Sequence, residues 1–254
     1  SILVFDIESV PDFESGRKVH NLSADLSAKD VVKAMQHLQF QKTGSEFMPL
    51  HLQRIVAISV VFEKGDQLKV WSLGDIDTTE KEIIKRFFEG VEQHIPTLVT
   101  WNGNGFDLPV LNYRALLHGV QAPTYWETGD DNTSFRYNNY ISRFHSRHTD
   151  LMDVLAHYQP RGGAKLDEIA TMLGYPGKYG MSGADVWDKY QQGALDEIRH
   201  YCETDVLNTY LVYLHFELIR GRSSPDLLTQ KVIRVKKMLR ESEQAHLQDF
   251  LSVW

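Results

Sequence analysis

Ile2-Leu3-Val4-Phe5-Asp6-Ile7-Glu8 is apolar on two sides until its last third. At a period of two, Ile2, Val4, Asp6 and Glu8 fall on one face and Leu3, Phe5 and Ile7 on the other, the pattern of a central strand buried on both sides. The far end turns acidic on one face only, and nothing nearby in sequence neutralises it. Two carboxylates at this spacing point the same way, and cations would compensate them. A strand end entering a loop would give the same D-x-E, so other segments must decide its meaning.

Working outward, residues 54–62 (RIVAISVVF) and 68–73 (LKVWSL) are rich in β-branched and aromatic side chains, and Glu63-Lys64-Gly65-Asp66 joins them as a hairpin connection. With the first strand they predict a three-stranded meander. Residues 11–50 are mixed and polar, with Val31, Val32, Met35 and Leu38 spaced for a short helix lying over the sheet. From Asp77, the expected N-cap, Ile83, Ile84, Phe87, Phe88 and Val91 recur at helical spacing until Pro96, and 98–101 reads as another buried strand. A glycine-rich turn, a helix over 108–118, a polar and aromatic loop and a short strand or turn ending near Asp150 follow. Further helices are expected around 152–158, 166–173, 184–192 and 194–220, with a last one over about 225–251. Strands first, with helices between and after them, predict an α/β protein with a ribonuclease-H-like mixed β-sheet flanked by helices. The expectation is a single domain, 1–254, with 11–50 as a helical and loop insertion and 225–254 as a C-terminal helix.

At 254 residues, 42% hydrophobic and 24% charged, the chain has the composition of a globular protein and no apolar run of the roughly 20 residues that a membrane helix needs. No membrane association is expected. Cys202 is the single cysteine, no Cys/His cluster has structural-zinc spacing, and the first residues carry no basic leader, so a reducing, cytoplasmic setting is the expectation. The net charge of −7 opposes a nucleic-acid partner unless cations and local basic patches offset it.

Thr100-Trp101-Asn102-Gly103-Asn104-Gly105-Phe106-Asp107 ends a strand, turns tightly through two glycines and places Asp107 at a helix entry. Helix capping by Asp107 is the plain alternative. A dinucleotide-binding G-x-G-x-x-G fails because Leu108 occupies the third glycine position. In Arg199-His200-Tyr201-Cys202-Glu203-Thr204-Asp205, Tyr201 and Asp205 are four apart and so stack on one helix face. A phenol and an acid meeting at a helix surface would look the same.

The conjunction is more specific than its parts: D-x-E on a first strand, N-x-x-G-F-D after a later strand and Y-x-x-x-D on a late helix, in that order. In this it resembles the DEDD exonucleases of the subgroup whose third motif carries a tyrosine. More closely, the chain is similar to the bacterial proteins described as predicted 3′→5′ exonucleases related to the proofreading domain of family-B DNA polymerases. The likeness extends through His148-Thr149-Asp150-Leu151-Met152-Asp153, Leu166-Asp167-Glu168, Gly174-Tyr175-Pro176-Gly177-Lys178, Val186-Trp187 and 201–210. It implies catalytic Asp6, Glu8, Asp107, Tyr201 and Asp205, with two divalent cations, Mg²⁺ or Mn²⁺. Asp6 would bridge both, Glu8 and Asp205 would complete one site, Asp107 would serve the second, and Tyr201 would hold the attacking water with Glu8. Hard carboxylate oxygens suit these ions, and the ions meet the scissile phosphate without a central Lys or Arg.

The expected partner is the 3′ end of single-stranded nucleic acid, DNA favoured over RNA, and Ile7, Asn102, Asn104, Phe106, Lys165, Lys178, Arg143 and Asp150 are the candidate substrate contacts. Residues 135–148 interleave four aromatic and three Arg residues, which suits base stacking and phosphate neutralisation or, equally, a hairpin with one aromatic face in the core. His145 and His148 near Asp150 and Asp153 match no strong zinc pattern, and a structural or substrate role is favoured. Lys231, Arg234, Lys236, Lys237 and Arg240 would form a basic ridge spread over more than one helix face. An RNA 3′→5′ exonuclease and a non-hydrolytic binding module on the same fold are the competing functions.

Overall fold

The computed structural model describes residues 1–178 and 180–254. Its sheet has five strands in the order β3-β2-β1-β4-β5: β1 (Ile2–Pro11), β2 (Gln53–Lys64), β3 (Gln67–Ser72), β4 (Thr97–Thr100) and β5 (His148–Asp150). The meander is present, with β1–β2 and β2–β3 antiparallel, while β4 runs parallel to β1 and β5 parallel to β4. The protein is therefore an α/β fold with a mixed sheet, consistent with a ribonuclease-H-like exonuclease domain.

The two faces of β1 feed two cores. Leu3, Phe5 and Ile7 pack with Ile83, Ile84, Phe87, Phe88 and Val91 of α3 (Glu80–His94) and with Leu108, Val110 and Leu111 of α4 (Asp107–His118), after which come α5 (Pro123–Trp126) and α6 (Leu151–Leu155). Val4 packs on the opposite face against α9 (Leu195–Ile219), through Val206, Leu207, Tyr210 and Leu211. Asp6 and Glu8 share the face of Val4, so the alternation alone turns them toward α9. Residues 11–50 hold α1 (Phe13–Val19) and α2 (Ala28–Thr43), with a small core of Val31, Met35, Met48 and Leu52. α2 is longer than the short helix expected, and Leu38 lies on its exposed side. α7 (Leu166–Met172) and α8 (Val186–Gln191) flank α9.

Two expectations need correction. Thr79, not Asp77, caps α3, its side chain accepting from the Glu82 N–H, and Thr79-Glu80-Lys81-Glu82 has the spacing of a capping box. The C-terminal segment is two helices, α10 (Pro225–Arg240) and α11 (Ala245–Ser252), broken so that Leu247 and Phe250 fold back into the α9-side core. No helix among the described residues is long and apolar enough to cross a membrane.

Candidate active site

The parallel pairing of β1 with β4 ends at Val4–Val99, and β1 continues alone on that side through Asp6 and Glu8. The acids therefore lie at the carboxyl ends of parallel strands, where open α/β sheets leave a crevice. The Ile7 N–H finds no strand partner there and donates to Asp107 Oδ1 at 3.0 Å. Asp107 is the first residue of α4, and no side chain among the described residues caps that helix. Its carboxylate serves as the missing strand acceptor, so the helix-cap reading of Asp107 gives way to one that ties α4 to β1.

The turn that delivers Asp107 is set by space. Asn102 holds the left-handed conformation (φ 65°), which asparagine tolerates, while Gly103 and Gly105 do not need it. A Cβ on Gly103 would meet Thr100 Oγ1 at 2.2 Å, and one on Gly105 would meet Asn102 Oδ1 at 2.4 Å. Asp150 fixes the turn from outside, Oδ1 accepting from Asn102 N–H and Oδ2 from Asn104 N–H, both at 2.9 Å. The buried imidazole of His148 bonds Thr100 Oγ1 at 2.8 Å, and burial pushes its pKa down to about 4. His145 accepts from the Asn139 N–H, so both histidines are engaged within the protein rather than arranged as a metal site.

From α9, Tyr201 and Asp205 reach the same crevice one turn apart, with the phenol close enough to the Asp205 carboxylate to lower its pKa. The Glu8 side chain is only 8% exposed and accepts no hydrogen bond from a described residue. Burial raises Asp6 and Glu8 well above the carboxylate range, and their acidic neighbours raise them further. Burial pushes Asp107 up to about 7, against the bond from Ile7, and Asp205 up to about 6, against the Tyr201 hydroxyl and the charge of Lys178. A mutually repelling set of buried and half-buried carboxylates, one of them without a hydrogen bond from a described residue, fits a site for hard cations.

The remaining candidates are dispersed. The Ile7 side chain is in the core, leaving only main chain at the site. Phe106 packs against the core and against Phe47, at 5.8 Å between ring centres. Asn102, Asn104, Gly105, Arg143 and Asp153 line one open groove, in which Arg143 pairs with Asp153 at 2.9 Å beside the Tyr158 ring. Lys178 is exposed yet near enough to lower both Glu8 and Asp205, whereas Lys165 is exposed at the start of α7. Residues 135–148 divide: Phe135 and Tyr140 are buried, Tyr137 and Phe144 are exposed, and turns stand where the alternative reading had a hairpin. On α10, Lys231 and Arg234 pair with Glu63, Lys237 lies 3.8 Å from Glu241 and Lys236 sits over Trp254, so most of the basic ridge is engaged in the protein's own contacts.

Sequence reasoning missed Cys202 as a site residue. Its Sγ lies 3.4 Å from the Asp6 carbonyl oxygen and 3.6 Å from Asp6 Oδ2. The signal was present, since 202 and 205 are three apart on a helix and so share a face.

Residues 45–254 match the family described as predicted 3′–5′ exonucleases related to the exonuclease domain of PolB. The chain belongs to this family. As a PolB-related exonuclease it is a 3′–5′ exonuclease enzyme, and its second and third motifs lie inside the matched span while β1 precedes it. It is 24% identical over 172 residues to a DNA polymerase of Archaeoglobus fulgidus, covering 65% of this chain and 21% of that protein. It is 28% identical over 148 residues to the catalytic subunit of DNA polymerase epsilon from Emericella nidulans, covering 55% and 6%. A DNA polymerase of Pyrococcus glycovorans is 35% identical over 75 residues, covering 27% and 10%. The matches thus span about a fifth or less of these relatives' own length.

Proposed function

We propose that this PolB-related exonuclease removes nucleotides from the 3′ end of single-stranded DNA with two divalent cations, Mg²⁺ or Mn²⁺, releasing nucleoside monophosphates. The observation that carries this is the convergence of Asp6 and Glu8 from β1, Asp107 from α4 and Asp205 from α9 in one crevice, close enough to raise one another's pKa. Asp6, Glu8 and Asp205 would hold one cation, and Asp6 with Asp107 the second. Such ions supply an activated water and charge stabilisation of attacking and leaving oxygens. Burial, then the charges of Asp205, Glu8 and Asp6, raise the Tyr201 phenol, so it stays an O–H donor that can position the attacking water with Glu8. Lys178, the cation whose charge lowers both Glu8 and Asp205, is placed to meet substrate phosphate. The groove holding Asn102, Asn104 and Arg143 would receive the strand, with Asp150 keeping its turn in shape. Residues 1–254 act as one exonuclease domain, 11–50 as its insertion and the α10–α11 pair as its C-terminal brace.

DNA is favoured over RNA because the matched relatives are DNA polymerases. The test is incubation of 5′-labelled single strands, DNA and matched RNA, with Mg²⁺ or Mn²⁺. The expected result is stepwise shortening of DNA, lost in Asp6→Ala and Asp205→Ala by several orders of magnitude while both variants stay folded. No shortening, or shortening that survives Asp6→Ala, sinks the proposal, and faster loss of RNA would reverse the choice of substrate.

A further inference from the structure

The crevice holds one donor that the hydrolytic reading does not use, the Cys202 thiol, beside two carboxylates that it does. One ligand atom each of Asp6, Glu8 and Cys202 lie within 4.8 Å of one another. Tetrahedral zinc bonds of about 2.3 Å to sulfur and about 2.1 Å to oxygen place the two ligand atoms about 3.6 Å apart. The Cys202 Sγ to Asp6 Oδ2 distance is 3.6 Å. Glu8, the third member, is largely buried and takes no hydrogen bond from any described residue. Asp6 is only partly buried, which leaves a side of the cluster open to an entering ion.

We propose that Asp6, Glu8 and Cys202 form a site for one thiophilic divalent cation, of the Zn²⁺ and Cd²⁺ class, that competes with the hard cations of the exonuclease reaction. Ligand softness separates the two uses of the same carboxylates: a hard ion takes Asp205 as its α9 ligand, a thiophilic one takes Cys202, three residues earlier on the same helix. On binding, the metal–sulfur bond replaces the S–H bond and the thiol proton leaves to solvent, together with any proton that the Asp6 and Glu8 carboxyl groups hold, with no change in oxidation state. The occupied site withdraws Asp6 and Glu8 from the hard-cation arrangement and so inhibits. That consequence rests on the proposed hydrolysis, whereas the site itself does not.

Cd²⁺ titration of the metal-free full chain, read by the ultraviolet sulfur-to-cadmium charge-transfer band, tests this. Cys202 is the chain's single cysteine, so any such band reports it alone. The expected result is a band that saturates at one equivalent, is absent in Cys202→Ser, is weakened in Glu8→Gln and is suppressed in the wild type by excess Mn²⁺. The Mn²⁺ arm needs no variant and stands even where Cys202→Ser fails to fold. No band in the wild type overturns the proposal. So does a band undiminished by Glu8→Gln or by Mn²⁺, which would place the ion away from the carboxylates. Mn²⁺ binding, followed separately by its electron paramagnetic resonance, tells the two readings apart: its loss sinks the hard-cation site, and absence of the cadmium band sinks this one.

Discussion

Tyr201 carries its hydroxyl beside Asp205, and its ring packs with Val10, Val56 and Ile198 at the base of α9. Tyr201→Phe keeps that packing and deletes the donor. It should lower kcat by about a hundredfold, the scale of a misplaced reactant, with KM and thermal stability nearly unchanged. Asp107→Asn separates charge from geometry in the same way. The amide oxygen can still accept from the Ile7 N–H, but a buried carboxylate held at about 7 is gone. The metal-free variant should melt higher than the wild type near neutral pH while its exonuclease rate falls, as calorimetry and strand shortening would show; a lower melting temperature would mean that the charge itself holds the fold. At this scale the sequence was most legible where a single periodicity decides direction, period two for Asp6 and Glu8 and one helical turn for Tyr201 and Asp205. It was least legible for Cys202, whose chemistry was read from its solitude rather than from its position on the helix face.

Elements deliver these side chains, and the turn between β4 and α4 is closely constrained. Between β4 and α4 the chain reverses with Gly103 against the side chain of Thr100, itself held by the buried His148. Gly103→Ala must displace a fixed threonine rather than a flexible tip, so a destabilisation of about 1–3 kcal/mol is expected. A loss of activity beyond that of stability should accompany it, because the turn sets where Asp107 meets β1. Denaturant titration and kcat measured on the folded fraction separate the two effects. The glycines announced a turn in the sequence, but the residue in left-handed backbone is Asn102, a distinction that needs the Thr100 contact to be seen. Likewise the meander was readable from its β-branched runs. The break between α10 and α11 was not, because it arises from Leu247 and Phe250 returning to a core that the local pattern cannot locate.

Across the molecule, one buried cation binds the site's frame together. Arg114 on α4 bonds Asp12 at the end of β1 and both oxygens of Glu80 on α3, which also accepts from the Ile55 N–H of β2. Arg114→Met would strand two buried carboxylates and should cost about 3–5 kcal/mol. Denaturant unfolding of wild type and variant in parallel would show it. The acids of the crevice set a pH dependence, one that bound cations would control. Asp107 and Asp205 hold their protons to about 7 and about 6 in the folded chain against 3.8 as the reference, so the metal-free fold loses stability as pH rises through that window. His148 works in the opposite sense: neutral in the fold down to about 4 against 6.5 as the reference, it loses stability as pH falls between those values. The two windows overlap and partly cancel in the metal-free protein. Bound Mn²⁺ would remove the repulsion among the acids and leave the His148 dependence exposed. The thermal shift produced by Mn²⁺ should therefore be small at about pH 5 and grow toward about pH 8, and His148→Asn should flatten the acidic limb of the Mn²⁺-loaded curve without altering that growth. A Mn²⁺ shift independent of pH would mean that the four carboxylates do not titrate together in the crevice.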